Sequence, residues 1–479
     1  MKIFIVLTFI LALSVISCPG DNDKDKYPNA LKPPSQKEKK FWAQDFTNNT
    51  YYQVDAQWLA YNSLCEIWVE KKANVTTAQA QAVANTYKDN IYVKMMDAFG
   101  WKMHIDGLGL RNTMQWANYL GSKDGRLKIL LLDIKDGFTG TGGYIAGYFA
   151  SVNFFPNSQA ESLGHKSNEC DMIYMDINPA VVGSETFYST LAHEMQHLMN
   201  FVTNELLIDN GTRDSYMRRW LDEGLSESAE WIYSGKVSQS RVDWYNADLS
   251  GNIRKGSNFY LWDKYDNHPS AALDDYATVN LFFQWLRLNY TKSVYYNIMM
   301  SEYYDYRAIT NSISPSLQWG ELFEAWHAAN FIQHPSNLYG YKNDSVLRTV
   351  KARFLNTTDT TVQLNPGEAV YTYSAVGRTK PVNSGFIRYA GLSLQGIDNI
   401  NVPAGLALLT FNSDTATEEY MAISSVITGE APPSLNIQPA IQDTYTSFET
   451  YRIDARDLLR RNGFNSNIFD VRYLGGLNE

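Results

Sequence analysis

One amphipathic helix is predicted in the middle of the chain, and it limits the folds that the chain can adopt. Its apolar residues, Phe187, Leu191, Met195, Leu198 and Val202, repeat at intervals of four, four, three and four. This spacing places them in a single stripe, which has to be buried against other elements. The polar residues of the same run, "LAHEMQHLMN", must then face a different part of the chain.

The polar residues include the pattern H-E-x-x-H, formed by His193, Glu194 and His197. Residues four apart on a helix lie on one face, so the two histidines can direct ring nitrogens at one metal ion while Glu194 holds a water molecule. Zinc accepts such ligands, and a catalytic zinc site uses three protein groups. The alternative is chance: with seven histidines in 479 residues, chance gives the pattern in fewer than about one chain in a hundred.

A third ligand has to come from elsewhere, because no histidine occurs between His197 and His268. The segment "WLDEGLSESAE" is predicted to be a second helix and offers three glutamates at helical spacing: Glu223, Glu227 and Glu230. Glu223 follows His197 by 26 residues, which allows the second helix to pack back against the first. Gly224 would let two helices approach closely. The alternative is a solvated acidic face.

These two segments resemble a known class of enzymes. "HEMQH" followed by "WLDEGLSE" is similar to the gluzincin metallopeptidases and most similar to the hyicolysin-type family, and upstream segments such as "CEIWVE" and "DMIYMDINP" extend the resemblance over roughly residues 50–340. The resemblance implies that His193, His197 and Glu223 bind one zinc ion and that Glu194 is catalytic. "WLDEG" also resembles the corresponding stretch of gluzincin aminopeptidases, but their exopeptidase motif is not found, which favours an endopeptidase.

Two further site residues are hypotheses. In gluzincin aminopeptidases a tyrosine at the start of a later helix stabilises the oxyanion; Tyr276, in "DDYATVNLFFQWL", has a similar position 53 residues after Glu223. A tyrosine hydroxyl can donate the required hydrogen bond. The alternative is that Tyr276 only packs or caps the helix. Glu227 is either an outer acceptor that orients a ligand histidine or a surface carboxylate.

The N-terminus resembles a bacterial lipoprotein signal. Residues 1–17, "MKIFIVLTFILALSVIS", place Lys2 before an apolar run that ends at Cys18, the predicted lipid attachment site. A membrane-spanning anchor is the alternative, but the run of about 15 residues is shorter than the roughly 20 that a spanning helix needs. Residues 18–40 are rich in Pro, Asp and Lys and are predicted to be a flexible tether. The expected location is extracytoplasmic, on the outer membrane or cell surface.

Charge and cysteine content limit the partners. The chain has 41 basic and 51 acidic residues, a net charge of −10, and removing the leader takes away one lysine and no acid. Nucleic acid is therefore not an expected partner. Cys65 and Cys170 remain after lipid attachment, and the sequence leaves open whether they pair or stay as buried thiols.

The predicted fold class is α+β. Residues 41–345 are expected to form a zincin-like metallopeptidase domain, with a small sheet, the helix that carries the motif and then a helical subdomain. Within it, residues 41–105 are predicted to be mainly helical, and "LKILLLDI" and "DMIYMDINP" to be strands. Residues 346–431 are expected to form a small β-rich domain, and the structure of residues 432–479 is left open.

The expected activity is that of a lipid-anchored zinc endopeptidase that cuts protein or peptide substrates. A strand in the "GYFASVNF" or "DMIYMDI" region is expected to pair with an extended substrate. The alternatives are an aminopeptidase, and a surface lipoprotein that binds an envelope or host partner through an inactive zincin scaffold.

Overall fold

The computed structural model describes residues 32–100, 125–141, 143–162, 164–203, 217–256, 271–314, 316–356, 362–364, 366–374, 378–413, 415, 424–426 and 470–474. The predicted leader, Cys18 and His268 lie outside these ranges. Within them, no helix combines the length and apolar character needed to span a bilayer.

The described strands are β1 (Glu38–Asp45), β2 (Thr50–Tyr61), β3 (Cys65–Glu70), β4 (Leu127–Leu132), β5 (Tyr144–Phe149), β6 (Met172–Asp176), β7 (Val362–Leu364), β8 (Ala369–Tyr373), β9 (Arg378–Thr379), β10 (Ile387–Leu392), β11 (Asn401–Val402), β12 (Ala407–Asn412), β13 (Ser424–Val426) and β14 (Asp470–Leu474). The described α-helices are α1 (Thr77–Thr86), α2 (Tyr92–Phe99), α3 (Asn157–Ser162), α4 (Glu185–Phe201), α5 (Arg219–Ser234), α6 (Gln239–Ala247), α7 (Ala271–Tyr290), α8 (Ser293–Met299), α9 (Tyr306–Ile313) and α10 (Trp319–Ile332).

Seven of the described strands form the main sheet, in the order β1-β2-β3-β4-β6-β5-β14. The pairs β3–β4 and β4–β6 are parallel, and the others are antiparallel. The strand predictions for "LKILLLDI" and "DMIYMDINP" are confirmed by β4 and β6. Apolar residues occupy both faces of the central strands, so the sheet has a core on each side.

The prediction that residues 41–105 are mainly helical is wrong. This segment contains most of β1 and all of β2 and β3 before α1 begins at Thr77. The buried residues Phe41 and Ala43 on β1, and Val54 and Ala56 on β2, are spaced two apart, which is the period of a strand. β1 also begins at Glu38, inside the range predicted to be a tether.

The predicted helix with the apolar stripe is α4. It begins after Ser184, whose side chain accepts a hydrogen bond from the backbone N–H of Phe187 at 3.1 Å. All five residues of the predicted stripe are buried, and α4 packs on β5, β6 and β14 of the main sheet. Its other face is buried too, because α5 packs against it. The polar motif is therefore enclosed inside the protein.

The regular sheet structure of the described C-terminal region is all β-strand, which confirms the prediction of a β-rich region. β8, β10 and β12 form a three-stranded sheet, and β9–β11 and β7–β13 form two-stranded sheets. This region packs on α10: the Tyr371 hydroxyl donates a hydrogen bond to the His327 carbonyl at 2.7 Å. β14 lies outside this region, since it joins the main sheet. The two remaining cysteines, Cys65 and Cys170, are buried free thiols.

Gly224 does permit a close approach of two helices, and the nearest side chain belongs to α7. A Cβ atom built at Gly224 would lie 2.2 Å from Cε2 of Phe283. Gly224→Ala should therefore lower the free energy of unfolding by about 1–3 kcal/mol, because the added methyl group overpacks the interface between α5 and α7. Urea denaturation measures the change.

Gly396→Ala is the matched control, because a Cβ atom at Gly396 would meet no atom within 4 Å. This variant should change stability by no more than about 0.5 kcal/mol. Equal stability of the two variants would contradict the tight α5–α7 packing.

Candidate metal centre

The predicted ligands are brought together inside the protein by the packing of α4 on α5. His193 and His197 are one turn apart on α4, and Glu223 lies on the facing side of α5. Their side chains are fully buried, with exposed fractions of 0% in each case. The predicted association of these three residues is therefore present in the fold.

Three ligand atoms form a small triangle. The Nε2 atoms of His193 and His197 are 3.1 Å apart, and Glu223 Oε2 lies 3.4 Å from each of them. Two atoms bound to one tetrahedral zinc ion, each at about 2.0–2.1 Å, are separated by about 3.3–3.4 Å. The edges of the triangle match this separation. The donor set, two imidazole nitrogens and one carboxylate oxygen, thus fits one ion of this size.

The electrostatics of Glu223 also suit a cation. Burial alone would raise the pKa of this carboxyl group, but the adjacent His197 and His193 lower the pKa below its usual range. Arg219, one turn earlier on α5, places its Nε atom 3.6 Å from Glu223 Oε1. These neighbours favour the ionised form of Glu223, which is the form that binds a metal ion.

A carboxylate lies beside the outer nitrogen of each histidine. Asp222 Oδ2 is 3.1 Å from His197 Nδ1, and Asn200 donates a short hydrogen bond to the other oxygen of Asp222. Glu230 Oε1 is 3.2 Å from His193 Nδ1. The Asp222 carboxylate at His197 Nδ1 favours the tautomer that carries its proton there, which leaves the Nε2 lone pair of His197 directed into the triangle.

Asp222 and Glu230 were not predicted in this role. Asp222 precedes Glu223 in the chain, and its place beside His197 depends on the alignment of α5 with α4. Glu230 is two turns further along α5 and reaches the other histidine. The motif contains no local pattern that distinguishes these two carboxylates from solvated ones, so the sequence offered no signal beyond their helical spacing.

Glu227, the predicted outer acceptor, is fully buried and engages two donors. Arg241 Nη2 and Nε contact its two carboxylate oxygens at 3.0 and 3.2 Å, and Asn280 Nδ2 donates to Oε2 at 3.0 Å. Ligand atoms of His193, Glu227 and Glu230 also lie within 4.8 Å of one another, forming a second possible metal group. The first group suits a cation better, since Arg241 already neutralises Glu227.

Tyr276 lies beside the same cluster. It is fully buried, its ring centroid is 6.2 Å from that of His193, and the Arg241 guanidinium lies 4.8 Å from the ring centroid. Burial, followed by the charges of Glu223, Glu227 and Glu194, raises the pKa of Tyr276 well above its usual value. The phenol therefore keeps its proton and can serve as a hydrogen-bond donor.

Glu194 completes the group of predicted site residues. It follows His193 on α4 and is fully buried. Its charge is among those that raise the pKa of Tyr276, so Glu194 and Tyr276 are close enough to interact electrostatically. The fold thus collects two imidazoles, two carboxylates and a phenol around one small volume.

No protein-family model matches the chain. The chain is similar to a protein named neutral metalloprotease ShpI from Staphylococcus hyicus, with 27% identity over 308 residues. The matched segment covers 62% of this chain and 63% of that protein, so it spans less than two thirds of the relative's length.

Asp222→Asn should weaken metal binding by about 10- to 100-fold. In the wild type, one carboxylate oxygen of Asp222 accepts a hydrogen bond from Asn200 and the other lies beside His197 Nδ1. An asparagine has only one oxygen, so its NH2 group would face either Asn200 or His197 and could not accept from that residue. Competition with a chromogenic chelator measures the affinity.

The control for this variant exchanges the two side chains. When Asn200→Asp is combined with Asp222→Asn, the new amide at position 222 can donate to the new carboxylate at position 200 while the amide oxygen accepts from His197. The double variant should therefore recover most of the metal affinity. If the single variant binds metal as well as the wild type does, Asp222 does not orient His197.

Proposed function

We propose that this protein is a zinc metalloendopeptidase that hydrolyses protein or peptide substrates. The observation that carries the proposal is the buried triangle of His193, His197 and Glu223, whose edges of 3.1, 3.4 and 3.4 Å suit one tetrahedral ion. The similarity to a metalloprotease supports the same conclusion.

Zinc is the proposed ion because two imidazoles and one carboxylate form a ligand set that catalytic zinc sites use, with a fourth position left for water. When bound, zinc supplies Lewis acidity that lowers the pKa of a contacting water to about 7 and polarises the carbonyl of the scissile bond.

Glu194 is the proposed general base. Glu194 follows the ligand His193 on α4, but its carboxylate is not one of the three groups that form the triangle. In that place it accepts a proton from the attacking water and passes the proton to the leaving amine. Burial of Glu194 excludes bulk solvent, which strengthens its interaction with the charge that develops during the reaction.

Tyr276 is the proposed oxyanion donor. Its phenol stays protonated because burial and the surrounding carboxylates raise its pKa. A neutral donor at the wall of the site stabilises negative charge on the carbonyl oxygen as the carbon becomes tetrahedral. The neighbouring Arg241, held by Glu227, fixes one face of the ring.

An endopeptidase is favoured over an aminopeptidase because the exopeptidase motif is not found in the sequence. The competing hypothesis of an inactive scaffold in a partner-binding lipoprotein predicts that the chain has lost at least one reactive group. His193, Glu194, His197 and Glu223 are all present and assembled.

We also propose that the protein is extracytoplasmic and anchored by lipid at Cys18, on the basis of the leader-like residues 1–17. The Cys18→Ala variant should shift the protein from the membrane fraction to the soluble fraction. Continued association with the membrane would indicate a different anchor.

Glu194→Gln is the main test of the function. The amide keeps the size of the side chain but cannot accept the proton, so the variant should bind about one zinc ion, as the wild type does, and lose at least about 100-fold in cleavage of an unfolded protein substrate. A chelator should abolish wild-type cleavage, and added zinc should restore it.

Glu185→Gln is a matched control at the exposed start of the same helix, where Glu185 pairs with Lys236 at 2.7 Å. This variant should cleave like the wild type. Cleavage by Glu194→Gln at the wild-type rate would show that another group is the base. Chelator-resistant cleavage would show that the reaction does not use the metal.

Tyr276→Phe should lower turnover by a factor on the order of a hundred to a thousand, because it removes the hydroxyl that would stabilise the oxyanion. Zinc content should not change. Steady-state kinetics should show the loss in kcat, with little change in KM.

Tyr295→Phe is the matched control for loss of a buried hydroxyl. Tyr295 is also fully buried, donates to the carbonyl of Phe283 at 2.8 Å and is not one of the proposed ligand or catalytic residues. This variant should lose about 1 kcal/mol of stability and keep its turnover. Wild-type turnover in Tyr276→Phe would assign Tyr276 a purely packing role.

A further inference from the structure

The edge of the main sheet next to α4 is covered by the C-terminal strand of the same chain. β5 pairs with β6 on one side, where Gly147 is opposite Met175, and with β14 on the other, where Gly147 is opposite Arg472. Both pairings are antiparallel. β5 would be the edge strand of this sheet if β14 were displaced.

β5 lies directly against the part of α4 that carries the proposed ligands. A Cβ atom built at Gly147 would be 3.0 Å from Cγ2 of Thr190, and Thr190 is one helical turn before His193. The backbone of β14 is one strand further out, and strands in a sheet are about 4.7–4.9 Å apart. β14 therefore runs along β5 on the side away from β6, and it also contacts α4, the helix that carries the two proposed histidine ligands.

Two site helices contact β14. One is α4, with His193, Glu194 and His197, and the other is α7, with Tyr276. β14 thus lies among the elements that would surround the backbone of a bound substrate. Its five residues, Asp470–Leu474, are in extended conformation, and the register shifts between Arg472 and Tyr473.

An endopeptidase has to hold its substrate extended, and a sheet edge does so through backbone hydrogen bonds with little dependence on sequence. With β14 displaced, the edge of β5 would offer such bonds next to α4. We propose that β14 is an internal occupant of this edge and that an extended substrate must displace β14 in order to pair there. The inference rests on the proposed endopeptidase function.

The effect of β14 on the apparent affinity for substrate can be estimated, because β14 and substrate compete for the same edge. A tethered segment acts at an effective concentration that is commonly about millimolar, so even weak pairing of β14 excludes a weakly binding peptide. The fraction of molecules with an open edge then scales the apparent affinity for substrate. Release of β14 should lower KM and leave the groups that perform the reaction unchanged.

The first test is a chain that ends at Phe469 and so lacks β14. Its KM for an unfolded protein substrate should fall on the order of tenfold relative to the full chain, with similar kcat and zinc content. A synthetic peptide with the sequence of residues 468–476, "IFDVRYLGG", should bind the shortened chain, should inhibit it competitively, and should bind the full chain much more weakly.

Two proline variants of the full chain test the pairing if the shortened chain does not fold. The N–H groups of consecutive strand residues point in opposite directions, so only one of Val471 and Arg472 donates its N–H to β5. Proline has no N–H. Of the variants Val471→Pro and Arg472→Pro, one therefore removes a hydrogen bond to β5 and the other serves as its control. One variant should lower KM more than the other.

The outcomes separate this inference from the proposed function. Peptide binding to the shortened chain, measured by fluorescence anisotropy, needs no catalysis: binding without any cleavage by either chain would support occupancy of the edge and overturn the endopeptidase. Cleavage with the same KM in the full chain, the shortened chain and both proline variants, and no peptide binding, would overturn the inference. If the shortened chain loses zinc and thermal stability together while the proline variants keep the wild-type KM, β14 has only a structural role. This outcome would also overturn the inference.

Discussion

The packing of α4 on α5 is the contact on which the candidate site depends, because it removes charged groups from water. Glu194 and Glu223 are fully buried, and Asp222 and Glu230 are nearly so. Burying ionised groups costs several kcal/mol each unless nearby opposite charge compensates. Arg219 approaches Glu223 and Arg241 is held by Glu227, and a divalent cation within the triangle would offset much of the remaining negative charge.

The same contact explains why α4 is buried on all sides from Thr190 to Phe201 although half of this stretch is polar. A helix buried all round is usually apolar all round. In α4 the apolar stripe packs on the sheet, while the opposite face meets carboxylates and donors of α5. Ser226, for example, donates to Gln196 at 2.6 Å. The interface between these helices is therefore a polar network in which each group is positioned by neighbours, as a reactive site requires.

The extent to which the sequence predicted this arrangement follows from the range of the interactions. The α4 stripe and the pair His193 and His197 depend on local periodicity, so the sequence predicts them. Glu223 is predicted from its spacing and from the resemblance of "WLDEG" to the gluzincin metallopeptidases. Asp222 and Glu230 owe their places to the alignment of two helices, which no local pattern encodes. The helical pattern of residues 77–99 does not continue back into β1–β3, where buried residues of β1 and β2 alternate as in strands.

The pairing of β14 with β5 is the contact with the largest separation in sequence, since more than three hundred residues lie between the two strands. An exposed sheet edge invites pairing with other chains, and proteins usually protect edges with charge, proline or bulges. A protease that uses its edge to hold substrate cannot apply those devices there without weakening substrate pairing. Covering the edge with a strand of the same chain protects it and still leaves it accessible, because backbone pairing can be exchanged for an equivalent pairing with substrate. The register shift within β14 interrupts the ladder and so makes that exchange less costly than displacement of a regular strand.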